Sequence, residues 1–576
     1  MNTADPISAA VVRAGLASTA REVFNQFVRT ALTPTIYEAF DFSVAVFDDQ
    51  VNVVADASGL PEYVGSLAFT VERLVEKLGR DNFVDGDVLV SSDPFLTGAH
   101  PPDMAIVAPA FCDGKLVGFC AVRGHVGDVG ARNDYPADSR SVYEEGLVLP
   151  PIKLVSAGVF NDDIADVVAA NSRIPRETVG NMRSAAAAAR QGAVKVGRIV
   201  STYGELSYRR GIAELLDGSE IQVRSMLEQI PDGDYLVSDQ LDNNAIDDQP
   251  VALTCRVRIC GSDIEVDVTG SASQQEGALN VPYAQTVAAC RLALKRLTTQ
   301  DSVPANSGEY RPLTVVAPAG SIFNSHPPVG TFMMHVTASL LSEMVITALL
   351  PAISDRAPAP TGGHTTAFSA GLVYDGRYIH TDDMAAIGYG AQRGRDGANA
   401  LQHFSIAGIP MAPAEVWESR APVLKKSLEL VTDSGGAGKW RGGLGTRVEW
   451  QFDIGAQLTV QAQRTGVLPA NGIDGAQSGG GRNDVQIGVG TPTERSVGMS
   501  TDIAVQPGEA IVLNGAGGGG VGEPRERDPL AVERDVRCRF VSVGAARDIY
   551  GVVLDPVTLR VNKLATSELR HEGQDR

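Results

Sequence analysis

Gly98-Ala-His100-Pro-Pro-Asp103 and Gly124-His125-Val-Gly-Asp128 each place a histidine and a carboxylate three residues apart, beside a glycine. Between them run two apolar stretches, Met104 to Phe111 and Leu116 to Val122, separated by Asp113-Gly114. Asp-Gly between two such runs is a strong hairpin cue, because the tight turn needs positive φ at both central positions. The spacing is symmetric. His100 lies as far before Gly114 as Asp128 lies after it, and Asp103 as far before as His125 after. All four side chains are therefore expected at the hairpin's open end. Two imidazoles and two carboxylates meeting there suit a borderline divalent cation such as zinc or manganese. A hydrogen-bonded His–Asp loop staple is the competing reading.

Outward from the hairpin, apolar spacing predicts helices over residues 7–31 and 65–78 and a strand over 87–92. A second hairpin is expected over 42–56 around Asp48-Asp49, with Asp41 entering its first strand. Helical spacing dominates from Asp162 to Ile230, where the Ala185–Ala189 run offers a small-residue face for close packing. After Pro231-Asp-Gly-Asp strand alternation begins, in Leu253 to Ile259 and Ile264 to Val268. Helices are expected again at Gln285–Leu297 and Ala338–Leu350, and beyond Ser419 the chain turns Gly-rich and strand-like. The expected fold is multidomain α+β. A helix-rich region over 1–230 carries the hairpins, a mixed region follows over 231–420, and a β-dominated, Gly-rich region fills 421–576.

At 576 residues the chain is too long for one simple core. A formal charge of −20 argues against nucleic acid and anionic membrane surfaces, which would repel it. No apolar run reads as membrane-spanning, and the first residues lack the basic start and apolar core of a leader. Six scattered cysteines with no CxxC pair make no disulfide framework. A cytoplasmic protein is expected.

Two Gly-rich stretches resemble nucleotide loops. Asp433-Ser-Gly-Gly-Ala-Gly-Lys439-Trp lacks the upstream glycine and the following Ser or Thr of a phosphate loop. Gly515-Ala-Gly517-Gly-Gly-Gly520 matches GxGxxG, but no helix follows to aim its N-terminus at a pyrophosphate. Both read as tight turns. No Gly-x-Ser-x-Gly elbow and no cysteine nucleophile context is present, so hydrolysis here would run through metal-activated water. His326, His335, His364, His380 and His403 stand alone locally and read as structural, although His364 in Thr361-Gly-Gly-His could line a pocket.

The chain resembles the hydantoinase B/oxoprolinase family, the B-type subunits of ATP-dependent cyclic amidases and of related acetone and acetophenone carboxylases. The resemblance runs through Asp41-Phe-Ser-Val-Ala-Val-Phe-Asp, Ser92 to Asp103, Arg123 to Gly130, and Tyr143-Glu-Glu-Gly-Leu-Val-Leu-Pro-Pro. It continues through Gly277 to Tyr283, Val303-Pro-Ala-Asn-Ser-Gly, Asp433 to Gly445 and Gly517 to Pro529. It implies a metal held by Asp41, His100, Asp103 and His125, with Asp128 beside it to orient His125 or, like Asp103, to accept a proton from water. It also implies an A-type partner that binds ATP and Mg and phosphorylates the amide oxygen of a small cyclic amide, which activated water then opens. A ketone carboxylase subunit is the alternative. The sequence departs from the family's pattern at Tyr63 and Val126, where histidine is frequent, and at Ser92, Asn181 and Ala185.

Overall fold

The computed structural model describes residues 6–298, 305–353, 355–364, 366–465 and 470–572. Met1 to Asp5 of the leader reading, Val303 and Pro304 of the quoted match, and Thr365 beside His364 lie outside them. The fold is α+β, in two compact units. One comprises 1–348 and 404–412; the other comprises 349–403 and 413–576. The break expected near 230 falls inside the first unit. Strand alternation beyond Pro231 marks a change of secondary structure there, not a change of core.

The first unit is built on a seven-stranded antiparallel sheet. Its strands are β1 (Phe42–Asp48), β2 (Val53–Ser58), β3 (Val88–Ser91), β4 (Asp103–Cys112), β5 (Lys115–His125), β6 (Ile152–Ser156) and β7 (Val159–Phe160), in the order β2-β1-β5-β4-β3-β6-β7. The turn at Asp113-Gly114 has φ 49° and 75°. Period-2 geometry sorts the strand residues by parity. Val44, Val46, Met104, Ile106, Cys120 and Val122 face one way, onto helices α1 (Pro6–Thr30) and α4 (Pro175–Tyr203). Ala45, Phe47, Ala105, Val107, Phe119 and Ala121 face the other, onto α2 (Pro61–Leu78). Both faces are buried, which is why these strands read as continuous apolar runs. Helices α3 (Asp162–Ala170) and α5 (Glu205–Leu227) complete the helical stretch foreseen between 162 and 230.

A four-stranded sheet follows, β11-β10-β9-β8, from β8 (Gly233–Leu241), β9 (Val251–Cys260), β10 (Asp263–Asp267) and β11 (Leu313–Val316). Helix α6 (Tyr283–Thr298) lies against α2, and a Cβ on Gly65 would meet the Ala288 Cα at 2.7 Å. Helix α7 (Met334–Ile353) is longer than foreseen. Its 20 residues average a hydropathy of 1.8, enough by length and composition to cross a membrane, yet 78% of its apolar window is buried in the protein. A core helix needs the same composition as a spanning one.

The second unit carries two sheets. Strands β12 (Thr366–Tyr374), β13 (Arg377–Ala385), β16 (Ala456–Gln461) and β19 (Ser500–Val505) form the order β13-β12-β16-β19. The other sheet joins β14 (Val423–Leu430), β15 (Thr446–Phe452), β17 (Asp484–Ile487), β18 (Arg495–Val497) and β20 (Ala510–Asn514) in the order β14-β15-β20-β17-β18. The two nucleotide-like stretches pack backbone against backbone: Gly436 N donates to Gly518 O at 2.8 Å, and Gly518 N donates to Gly443 O at 3.0 Å. A Cβ on Gly517 would lie 1.9 Å from the Ser434 carbonyl oxygen. The region expected to be β-dominated ends instead in three helices, α8 (Pro529–Arg537), α9 (Val543–Asp548) and α10 (Lys563–Glu572), the last containing His571.

The small-residue face of α4 is set directly on the sheet. A Cβ on Gly192 would lie 2.3 Å from Cys120 Sγ and 2.8 Å from Val23 Cγ2. Gly192→Ala should therefore destabilise by about 1–3 kcal/mol, the usual cost of overpacking. Gly218→Ala on α5, where nothing lies within 4 Å, should be neutral or stabilising. Denaturant midpoints on both variants check the contrast.

Candidate metal centre

The hairpin delivers two donors directly. Asp103 opens β4, His125 closes β5, and the two are partners across the ladder. His100 reaches them through a short turn. Pro94–Thr97 make one helical turn capped by Gly98 at φ 71°, and a Cβ on Gly98 would lie 2.9 Å from the Gln285 nitrogen. The turn closes with Asp103 N donating to His100 O at 3.0 Å.

His100 Nε2 lies 2.9 Å from Asp103 Oδ1 and 3.2 Å from His125 Nδ1, and His125 Nδ1 is 3.1 Å from the same carboxylate oxygen. His100 Nδ1 is 3.0 Å from the Phe332 carbonyl oxygen. A carbonyl only accepts, so Nδ1 carries the proton, and in the neutral ring Nε2 turns its lone pair to the centre. Asp103 Oδ2 is buried with no hydrogen-bond partner. Leaving a charged acceptor so costs upwards of about 1–3 kcal/mol unless a proton or cation reaches it. Three ligand atoms thus converge with too few protons among them. Among the described residues, His100, Asp103 and His125 are a buried group whose ligand atoms all lie within 4.8 Å of one another. Imidazole plus carboxylate suits zinc or manganese, so the residues present fit a divalent ion.

Electrostatics agree. Burial opposes ionisation of Asp103, but the two imidazoles outweigh it and hold its carboxyl far below the usual range. Burial opposes charge on His100 as well, and the Asp103 charge and hydrogen bond overcome that, raising its pKa above 6.5.

Support comes from residues the sequence reading passed over. Glu145 accepts from Thr331 N at 2.6 Å, Phe332 N at 2.9 Å, Thr331 Oγ1 at 3.1 Å and Ser139 Oγ at 2.6 Å. It therefore fixes the segment whose carbonyl orients His100. Burial pushes the Glu145 carboxyl up to about 7 against those four donors. Tyr135 stacks on His125 at 5.7 Å and 18°, Phe332 sits 4.3 Å from His100, and the His335 ring comes within 6.4 Å of His100. Glu145 stood in the quoted Tyr143-Glu-Glu-Gly match, the one available signal. Nothing local marked Tyr135 or His335.

Asp41 stands beside the group. Its carbonyl accepts from His125 N at 3.1 Å, and its carboxylate accepts from the Tyr63 hydroxyl at 3.1 Å. The Tyr63 ring also lies 4.5 Å from the guanidinium of Arg123, which is fully buried and donates to Thr97 O at 2.9 Å and to Ser66 Oγ. Two other departures meet each other, since Asn181 Nδ2 donates to the Val126 carbonyl at 2.9 Å.

Asp128 is not drawn to the hairpin's open end. Its oxygens accept from Arg173 Nε at 3.0 Å, Arg173 NH2 at 2.5 Å, Gly130 N at 3.1 Å and the Arg173 backbone nitrogen. Symmetric spacing about the turn holds only while both strands continue, and β5 ends at His125. Asp128 is tied to Arg173 as a loop staple, and among the described residues it is not one of the group whose ligand atoms converge. His364 belongs to the second unit.

The hydantoinase B/oxoprolinase family profile matches residues 5–524, and the chain belongs to that family. The caprolactamase subunit beta of Pseudomonas jessenii is 30% identical over 573 residues, covering 96% of this chain and 97% of its own length. The crystal structure of the ATP-dependent caprolactamase from that organism superposes with a TM-score of 0.90 at 28% identity, covering 99% of this chain and 100% of its own. The 5-oxoprolinase of Dictyostelium discoideum is 27% identical over 90% of this chain, which spans 40% of that longer protein. A nucleotide-free acetone carboxylase shares the fold, with a TM-score of 0.87 at 17% identity over 99% of this chain and 83% of its own.

Two substitutions separate staple from centre. Asp128→Asn should lower stability by about 1–3 kcal/mol, through loss of a partly buried ion pair, and leave metal content and turnover per folded molecule unchanged. Glu145→Gln should weaken metal retention about 10- to 100-fold, the usual scale for a residue orienting a ligand. Melting temperature and metal content measured on both variants check the pair.

Proposed function

We propose that this chain is the metal-bearing B-type subunit of an ATP-dependent cyclic amide hydrolase that opens a hydantoin, 5-oxoproline or lactam ring. The observation that carries the reading is the convergence of His100, Asp103 and His125, in a chain similar over nearly its whole length to a caprolactamase subunit. That subunit is named as one of a set, and the solved caprolactamase is described as ATP-dependent. An A-type partner that binds ATP and Mg, and activates the amide oxygen by phosphorylation, follows from this reading. With ATP required and all six cysteines free, the assembly works in the cytoplasm.

His100, Asp103 and His125 would hold one zinc or manganese ion, with Asp41 at hand as a fourth donor. Such an ion supplies Lewis acidity that makes water a nucleophile near neutral pH. Phe332 fixes the tautomer of His100, so the ring, once neutral, presents its Nε2 lone pair to the ion. Asp103 Oδ2 is the proton acceptor available at the centre, now that Asp128 is committed to Arg173. Tyr135 and Phe332 wall the centre and limit the water that reaches it. The ketone carboxylase alternative has the likeness of fold alone behind it.

Elemental analysis of chelator-free protein should give about one divalent ion per chain, lost in His125→Ala and in His100→Ala. ATP-dependent ring opening of hydantoin, 5-oxoproline or caprolactam should appear only when the A-type partner is added. Full occupancy in both variants, or ring opening by this chain alone, overturns the reading. Proton competition sets the pH dependence. Because the pKa of His100 lies above 6.5, its proton blocks loading below that value, and affinity should rise as pH climbs through it. Chelator competition across pH 5.5 to 8.5, roughly, follows the rise.

A further inference from the structure

A cleft of about 400 Å³ opens in the first unit among α1, β2, α2 and α6. His100, Asp103 and His125 do not line it. Four charged side chains on its wall differ in how they are committed. Lys295 is paired with Glu309 at 2.8 Å and 2.9 Å. Asp56 accepts from Ser58 Oγ and Ala305 N, each at 2.7 Å. Arg291 and Arg21 have no ion pair among the described residues. Arg291 is nonetheless held in place. Its NH1 donates to the Gly65 carbonyl at 2.7 Å, and its guanidinium lies 5.1 Å from the Phe69 ring centre and 5.0 Å from that of Tyr310. One backbone carbonyl uses one of five N–H donors. Glu72 acts on Arg291 electrostatically without forming an ion pair, so the guanidinium keeps donors to spare.

We propose that this cleft binds a small organic monocarboxylate. Arg291 and Arg21 take the carboxylate, for which a fixed guanidinium fork is the matching shape. Val64, Ala288 and Leu292 line the wall with apolar surface for an aliphatic body. Asp56, also on the wall, and Glu309 behind Lys295 add negative charge, which disfavours a dianion such as inorganic phosphate and sets the class to singly charged acids. The inference is independent of the metal centre and of the reaction proposed for it.

The test is calorimetric titration of the full chain with sodium hexanoate, acetate and inorganic phosphate. Hexanoate should bind saturably with one site and a millimolar-range Kd, roughly, as expected for so few atoms. Acetate should bind more weakly because it buries fewer methylenes. Phosphate should neither bind nor compete. Arg291→Gln should weaken hexanoate about tenfold or more, the scale of a charge-assisted hydrogen bond. Arg21→Ala, an exposed position on α1, should weaken it several-fold without moving the melting temperature, and keeps the test decisive if Arg291→Gln folds poorly. His100→Ala should bind hexanoate as the parent does. The proposal is overturned by absence of saturable binding, by unchanged affinity in Arg21→Ala and Arg291→Gln, or by phosphate binding as tightly as hexanoate.

Discussion

The pairing of β4 with β5 is the constraint on which the first unit depends. Both strands are buried on both faces over most of their length, so their backbone polar groups are paired in the ladder and polar side chains such as Arg123 must find partners off it. The ladder closes on Asp103 opposite His125, at the end away from the Asp113-Gly114 turn. Burial there makes the centre electrostatically stiff. Taking a carboxylate and two imidazoles out of water is unfavourable separately, and they are tolerated because each offsets the desolvation of another. Against that burial, the attraction between carboxylate and imidazoles holds Asp103 ionised, which favours a cation, and raises the affinity of His100 for a proton, which a cation must displace.

Orientation reaches the centre from far along the chain. Glu145 gathers the amides of Thr331 and Phe332, and the Phe332 carbonyl then fixes His100. None of these residues is a donor to the centre, yet each removes a rotamer or tautomer that would leave the histidine misdirected. On the opposite side Tyr63 bridges Asp41 and Arg123. A histidine at that position could offer a lone pair to an ion, whereas a phenol offers a hydroxyl that donates to the neighbouring carboxylate. The departure at Tyr63 therefore changes the chemistry of the wall around the centre more than the centre's own donor set.

What the sequence made legible follows what is local. The hairpin, its turn and the meeting of His100, Asp103 and His125 were readable because a dipeptide turn fixes register, and register fixes which side chains meet. Asp128 was misplaced because the same arithmetic was carried past the end of β5. The second-unit hairpin of β12 and β13 turns on Asp375-Gly376, the cue used at Asp113-Gly114, and was overlooked in a stretch with fewer consecutive apolar residues. The closing helices were announced by Asp528 before Pro529 and by Ser542, whose side chains accept from Leu530 N and Ala545 N. Their charged composition hid them behind the Gly-rich run. Glu145, Tyr135 and His335 were out of reach for another reason: their neighbours at the centre are brought together only by the complete fold.

The crossed glycine segments of the second unit set how that unit can form. Residues near 388, 436, 443 and 518 exchange backbone hydrogen bonds across separations of many tens of residues, with no side chains between them. Such contacts give no stabilisation until all the segments have arrived, and each closure first costs the entropy of a long loop. The crossing should therefore assemble late and in one cooperative step. A nascent chain that has not yet presented residues 515–521 would hold a set of bare amides and carbonyls open to water and to other chains, so the second unit is most exposed to misassociation until that segment has emerged.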